Sequence, residues 1–178
     1  MKIKRETLAW ACYDWANSAF ATSIMAGFFP VFFKQYWCTG VEVSTSTFRL
    51  GLANSSGSMI VIFLAPILGA MADQAGAKKK FLFFFAAIGV VMSAGLSTVA
   101  QGAWLMASLF YIFGIIGFSG SNVFYDSLLV NVASPGTSDR VSALGFALGC
   151  LGGGLLFAVN VAMTLKPGLF GLADRLFP

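Results

Sequence analysis

The sequence predicts an all-α membrane protein, a polytopic bundle in which five transmembrane helices are present. Of its 178 residues, 58% are hydrophobic and only 10% are charged, whereas soluble domains carry about 25% charged residues. Five separate stretches are long and apolar enough to cross a bilayer, which takes about 20 residues of helix. Short connections separate them, and AGAKKK and SPGTSDR among these carry residues typical of turns.

The five predicted spans follow one another along almost the whole chain. The first and the fourth are longer than the hydrocarbon is thick, so we expect tilt or protrusion. The C-terminal GLFGLADRLFP is typical of a loop that leads towards a further helix. Residues 1–178 are therefore expected to be a partial N-terminal transmembrane domain, with a sixth span and a second half absent. The spans run from Leu8 to Tyr36, Leu50 to Ala72, Phe81 to Ala100, Trp104 to Ala133 and Val141 to Leu165.

The distribution of lysine and arginine predicts the orientation, because these residues are enriched on the cytoplasmic side. With five spans, one side holds Lys2, Lys4, Arg5, Lys78, Lys79, Lys80 and Arg140, and the other holds Lys34, Arg49, Lys166 and Arg175. The N-terminus is thus expected in the cytoplasm and Cys38 outside, with the protein in the cell (inner) membrane. The net charge of +4 is modest and lies in short clusters, which suits loops beside lipid headgroups and gives no expectation of a nucleic-acid partner.

Metal and cofactor sites are not expected. The chain has no histidine, and Cys12, Cys38 and Cys150 lie far apart, so a structural zinc site is not predicted. No G-x-x-x-x-G-K-[ST] loop is present, which argues against direct coupling to a nucleotide.

The connection GAMADQAGAKKK places Gly69, Asp73, Gly76 and Lys78 at the spacing G-x-x-x-D-x-x-G-x-K. This spacing resembles the signature loop of the major facilitator superfamily, although the family usually has basic residues at the positions of Gln74 and Ala77. We expect close helix packing at Gly69, a helix end at Gly76, and a role for Asp73 in the conformational cycle. A plain charged turn would explain the lysines, but not the combined spacing.

The fifth span carries Gly145, Gly149 and Gly153 four residues apart, a pattern that lets helix backbones approach closely. The run GFALGCLGGG also resembles the superfamily pattern G-x-x-x-G-P-x-x-G-G, which is associated with antiporters. Cys150 stands where proline is usual, so the expected role is helix packing.

Two predicted spans carry polar side chains on one helical face. The candidate pocket residues are Asp14, Asn17 and Ser18 in the first span, and Ser119, Asn122 and Asp126 in the fourth. An ionisable residue in lipid is costly unless it meets a partner or a watery cavity, so it is a functional candidate. The alternative is that each carboxylate caps a helix or reaches the cytoplasmic surface.

Three stretches together, YDWANSAFAT, GAMADQAG and LGFALGCLGGGLL, resemble the unknown-major-facilitator family, which is related to fungal vacuolar amino-acid effluxers. The resemblance implies twelve helices in two halves, with the first and fourth helices lining a substrate cavity. It implies a secondary transporter of a small polar solute, with amino-acid efflux as the expected activity and a second helical half in the same or another chain.

The depths of the two carboxylates suggest one cytoplasmic-side pocket for substrate or proton. Asp14 lies about 9 Å into the first span and Asp126 about 10 Å into the fourth, which runs in the opposite direction. Two nearby carboxylates disfavour double ionisation, so one could hold a proton. Two alternatives stay open: an inert truncated or scaffold protein, and an intramembrane aspartyl protease built on Tyr13-Asp14 and Tyr125-Asp126. No enzymatic activity is expected.

Overall fold

A computed structural model describes residues 5–74 and 76–171, with side chains throughout these ranges except at residues 72–74. Across the described ranges the regular structure is entirely helical, which confirms the all-α prediction. Five helices are long and apolar enough to cross a membrane. In chain order they are Arg5–Trp37, Val43–Gln74, Lys78–Gly95 with a 3₁₀ turn at Leu96–Thr98, Trp104–Val132 and Ser138–Leu165; the 3₁₀ turn Pro167–Phe170 follows.

The second helix begins at Val43, well before the apolar run that predicted a span from Leu50. Its first turns are polar, and their hydroxyl groups bond back to the helix itself. The Ser46 Oγ donates to the carbonyl oxygen of Val43 at 3.0 Å, and the Thr47 Oγ1 donates to the same oxygen at 2.7 Å. Such bonds satisfy the hydroxyl groups locally, so these polar residues are accommodated in the helix ahead of its apolar part.

The first helix is not a uniform α-helix. It is α-helical over Arg5–Ala19 and Phe29–Phe32, and it widens into π-helix over Phe20–Phe28 and Phe33–Trp37. The wider turns are marked by bonds to the fifth preceding residue: the Phe29 N–H donates to Ile24 O, and the Cys38 N–H donates to Phe33 O at 2.8 Å. Pro30 has no N–H to donate, so the regular α-helical ladder is interrupted between the two π segments.

The chain divides into two compact units. The terminal unit comprises Met1–Phe29 and Asp139–Pro178, and the central unit comprises Pro30–Ser138. The first helix therefore contributes its N-terminal part to one unit and its C-terminal part to the other.

The fourth helix is the core of the central unit and packs against the second and third helices. It meets the third helix at two glycines: a Cβ added to Gly117 would lie 2.5 Å from the backbone nitrogen of Gly89 and 2.7 Å from the carbonyl oxygen of Phe85. Nearer the C-terminal end of the fourth helix, on the same face, lies the fully buried Phe124. Its ring stacks on the Phe81 and Phe85 rings at centroid distances of 5.2 and 5.9 Å. Glycine thus brings the two backbones together, and aromatic rings fill the space where they separate.

The connections between helices turn at glycines with positive φ. Gly40, Gly102 and Gly136 have φ values of 76°, 81° and 79°, and they lie in the first, third and fourth connections. Residues with a Cβ rarely adopt this conformation. The Gly102 N–H also donates to the carbonyl oxygen of Tyr36 at 3.1 Å, which joins the third connection to the C-terminal end of the first helix.

Tryptophan side chains make contacts at the end of the central unit that contains the first and third connections. The Trp37 Nε1 donates to the carbonyl oxygen of Val99 at 3.3 Å, and the Arg49 guanidinium lies 4.2 Å from the centre of the Trp104 ring. Cys38 is only 2% exposed among these groups. Cys38 is therefore a poor target for a thiol reagent, because the chain folds this side chain inward, and its expected position outside the cell stays a prediction.

The Gly117–Gly89 contact provides the first testable prediction. Gly117→Ala should lower the melting temperature in detergent, because the new Cβ overlaps backbone atoms that cannot rotate away, and overpacking typically costs about 1–3 kcal/mol. Gly51→Ala is the matched control, since a Cβ at Gly51 meets nothing within 4 Å. Equal melting temperatures for the two variants would contradict the close approach.

The orientation can be tested with thiols placed at exposed positions. In a variant with all three native cysteines replaced by serine, Glu42→Cys in the first connection should react with a membrane-impermeant maleimide added to intact cells. Asp139→Cys, at the start of the fifth helix, should react only after permeabilisation. Both side chains are exposed in the structure, so burial would not explain a failure to react. The reverse labelling pattern would show that the N-terminus lies outside.

Candidate functional site

In the terminal unit, the first helix lies against the fifth helix at a series of glycines. A Cβ added to Gly149 would lie 2.6 Å from Ser18 Oγ and 2.8 Å from Asp14 Oδ2. A Cβ added to Gly153 would lie 2.8 Å from Thr22 Oγ1. Because Asp14, Ser18 and Thr22 are spaced four residues apart, they form one face of the first helix. This polar face therefore contacts the fifth helix.

The polar face is held partly by its own backbone. The Thr22 Oγ1 donates to the carbonyl oxygen of Ser18 at 2.9 Å, one helical turn before it. Asp14, Asn17 and Ser18 are each half-buried, as is Thr22. The structure therefore brings two of the predicted pocket residues, Asp14 and Ser18, to the contact with Gly149.

The glycines of the fifth helix meet different atoms of the first helix at this contact. Gly145, Gly149 and Gly153 are all buried. The approach to backbone is tighter at Gly152, where an added Cβ would lie 2.6 Å from the carbonyl oxygen of Trp15. The four-residue spacing did not single out Gly152, although the run of three consecutive glycines that contains it was a visible signal.

In the central unit, the predicted polar residues of the fourth helix share a face that points away from the third helix. Successive residues turn by about 100° around an α-helix, so Ser119, Asn122 and Asp126 lie on the side opposite to Gly117 and Phe124. Ser119 and Asn122 are half-buried, and Asp126 is exposed. The Asp126 carboxylate is therefore carried by a packed helix but is accessible on its surface.

The loop with the superfamily spacing connects to the fourth helix beside Asp126. The Lys78 Nζ donates to the carbonyl oxygen of Ser127 at 3.2 Å, and the sequence contained no signal for this bond. Gly76 lies in the turn between the second and third helices. No described atom lies within 4 Å of a Cβ added to Gly69, so the close packing expected there is not found in the described part of the chain. The Asp73 side chain lies outside the described residues.

A further polar contact links the second and fourth helices and was missed by the sequence analysis. The Tyr111 hydroxyl donates to Asn54 Oδ1 at 3.3 Å. Tyr111 is buried, whereas Asn54 is exposed on the second helix. Ser108, Tyr111, Ser119, Asn122 and Asp126 are spaced by three, eight, three and four residues, which places them within one stripe along the fourth helix. The polar face of this helix is thus longer than the sequence analysis predicted.

The two predicted carboxylates belong to different compact units, Asp14 to the terminal unit and Asp126 to the central unit. The pocket that was expected to unite them stays a prediction. Within residues 5–71 and 76–171, no three cysteine, aspartate or glutamate side chains come together as a metal-ligand set.

Comparison with known proteins identifies the family. The family profile described as "Vacuole effluxer Atg22 like" matches residues 36–172. The chain belongs to the Atg22-like family. This result confirms the resemblance to vacuolar effluxers, and the match includes the signature loop and the fifth helix.

Two curated relatives of this Atg22-like chain come from bacteria. An uncharacterized MFS-type transporter, YxiO, of Bacillus subtilis (strain 168) is 40% identical over 165 residues, which is 92% of this chain and 39% of the relative. An uncharacterized protein of Aquifex aeolicus (strain VF5) is 25% identical over 174 residues, 97% of this chain and 42% of the relative. The chain spans about two fifths of the length of these relatives. No solved structure matches the chain.

The relatives and the five apolar helices together identify this Atg22-like chain as an integral multi-pass membrane protein of the major-facilitator type. Its all-α architecture fits half of such a fold.

The bond between Tyr111 and Asn54 provides a testable prediction about the polar stripe. In a double-mutant cycle with Tyr111→Phe and Asn54→Ala, the two side chains should couple by about 0.6 kcal/mol, and by no more than about 1.7 kcal/mol, as interhelical hydrogen bonds in membranes do. Chemical or thermal unfolding in detergent would measure the cycle. Tyr36→Phe combined with Asn54→Ala is the control pair, and the interaction is contradicted if both pairs are equally additive.

Proposed function

We propose that this chain is part of a secondary active transporter that moves a small polar solute by alternating access. The observation that carries the proposal is the presence of aspartate and asparagine side chains within membrane-length helices of an Atg22-like chain. Membrane-spanning segments rarely keep ionisable residues unless these serve a pathway or a partner. Asp14 and Asp126 are the residues assigned to this role.

The surroundings of the two carboxylates support this role in different ways. Asp14 lies on a polar face with Ser18, against a glycine of the neighbouring helix. Asp126 is exposed at the end of a polar stripe that includes Asn122 and Ser119. A carboxylate can bind an ammonium group or a proton, and an amide can donate to a carboxylate or a hydroxyl group. These groups suit an amino acid as the solute, in line with the resemblance to vacuolar amino-acid effluxers.

The proposal also covers the location of the transporter, its second half and its gating loop. It acts without enzymatic chemistry, lies in the cell membrane with a cytoplasmic N-terminus, and works with a second helical half in the same or another chain. The signature loop, comprising Gly69, Asp73, Gly76 and Lys78, would gate the conformational change. The bond from Lys78 to the Ser127 carbonyl supports this, since it joins the loop to the helix that carries Asp126.

The test is solute flux in proteoliposomes that contain the protein and are preloaded with radiolabelled amino acids. Asp14→Asn and Asp126→Asn should each reduce the initial rate by at least tenfold and alter its dependence on pH, because the amide cannot bind a proton or pair with an ammonium group. Asp139→Asn is the matched control: the same change at an exposed position where the fifth helix begins.

The three variants separate the possible results. Loss of flux in the Asp14 and Asp126 variants, with normal flux in the Asp139 variant, supports the assignment. Normal rates and an unchanged pH profile in both test variants would reject both carboxylates as transport residues.

A further inference from the structure

We propose that Gly149 is a positioning residue for Asp14: because it has no side chain, the carboxylate and the neighbouring Ser18 hydroxyl can lie directly against the fifth helix. The geometric part of this proposal stands on the structure alone. Its consequence for transport rests on the function proposed above.

The atoms around Gly149 distinguish it from the other glycines at the same contact. The nearest atoms to a Cβ added there are Ser18 Oγ at 2.6 Å, Asp14 Oδ2 at 2.8 Å and Asp14 Cγ at 3.0 Å. All three belong to polar side chains. At Gly152, by contrast, a Cβ would lie 2.6 Å from the backbone oxygen of Trp15. The indole of Trp15 is equally close there, with Cγ at 2.5 Å, so Gly152 makes room for the backbone and ring of Trp15, whereas Gly149 makes room for a carboxylate and a hydroxyl group.

Two side chains one helical turn apart converge on the same point of the fifth helix. A methyl group at that point would require the carboxylate to withdraw from 2.8 Å to the 3.4 Å or more of ordinary contact. Asp14 and Ser18 can withdraw by rotating about their side-chain bonds, which costs little compared with moving a helix. Gly149→Ala should therefore leave the fold intact and displace the Asp14 carboxylate.

The displacement matters because the hydrogen bonds and contact ion pairs of a carboxylate depend on distance and direction. A misplacement of about 1 Å can cost a reaction 100-fold in rate even when every group is present. Gly149 would then determine where the Asp14 carboxylate meets its solute or proton, without touching either.

The first test measures the reactivity of the carboxylate directly in the protein reconstituted in lipid. Dicyclohexylcarbodiimide, an apolar reagent that modifies carboxyl groups in membranes, is added, and the modification of Asp14 is followed by mass spectrometry of its peptide. In Gly149→Ala the rate at Asp14 should rise at least threefold, because the carboxylate has left the surface of the fifth helix. Gly154→Ala is the matched control, since a Cβ there meets nothing within 4 Å. Equal rates at Asp14 in the two variants would overturn the proposal.

The second test is a cycle of melting temperatures, which stays informative if Gly149→Ala folds poorly. Truncation by Asp14→Ala removes two of the three atoms nearest to the new methyl group and leaves Ser18 Oγ, so Gly149→Ala should lower the melting temperature less in that background than in the wild type. Gly152→Ala should lower it equally in both backgrounds, because its nearest atoms belong to Trp15. If Asp14→Ala reduces the loss of melting temperature caused by Gly152→Ala as much as the loss caused by Gly149→Ala, the specific link between Gly149 and Asp14 is disproved.

Flux measurements separate this proposal from the proposed function. A changed labelling rate at Asp14 with reduced flux in Gly149→Ala, and normal flux in Gly154→Ala, supports both. A changed labelling rate with unchanged flux supports the positioning role and rejects Asp14 as a transport residue. Reduced flux with unchanged labelling and an additive melting-temperature cycle overturns the positioning role.

Discussion

Close helix packing in this chain depends on places where a side chain is absent. Lipid tails are as apolar as the side chains that face them, so helices in a bilayer gain little from burying apolar surface against each other. They gain instead from close contact, which glycine permits. In the central unit Gly117 lies against the backbone of Gly89, and in the terminal unit Gly152 lies against the backbone of Trp15. These close contacts between helices determine which side chains lie at each helix interface.

The same constraint determines where polar groups can be placed. The fourth helix directs Gly117 and Phe124 towards the third helix, so its other side is free to carry Ser119, Asn122 and Asp126. In the terminal unit the polar face of the first helix is itself the contact face, and a glycine opposite Asp14 makes this possible. The two units thus accommodate an aspartate by different means: one leaves it on an exposed side, and the other provides space within a helix contact.

The sequence was sufficient to predict the five helices, because each contains an apolar run of membrane length bounded by turn residues. It was less informative about helix ends, since the second helix begins at Val43, in a polar stretch whose serine and threonine hydroxyls bond within the helix. The i, i+4 spacing predicted a glycine ridge but could not show which glycine meets backbone and which meets a carboxylate, because that depends on the partner helix. Likewise, Cys38 looked like an ordinary loop residue, and only the folded arrangement around Trp37 accounts for its burial.

The π-helical turns of the first helix affect how positions along it should be compared. Over Phe20–Phe28 each turn contains more residues than an α-helical turn. A helical wheel drawn with 3.6 residues per turn therefore loses phase within this segment, and it assigns residues beyond Phe28 to the wrong side. Aligning the faces of this helix with those of a relative requires knowing whether the relative has the same wide turns, because otherwise identical residues at matched positions would point in different directions.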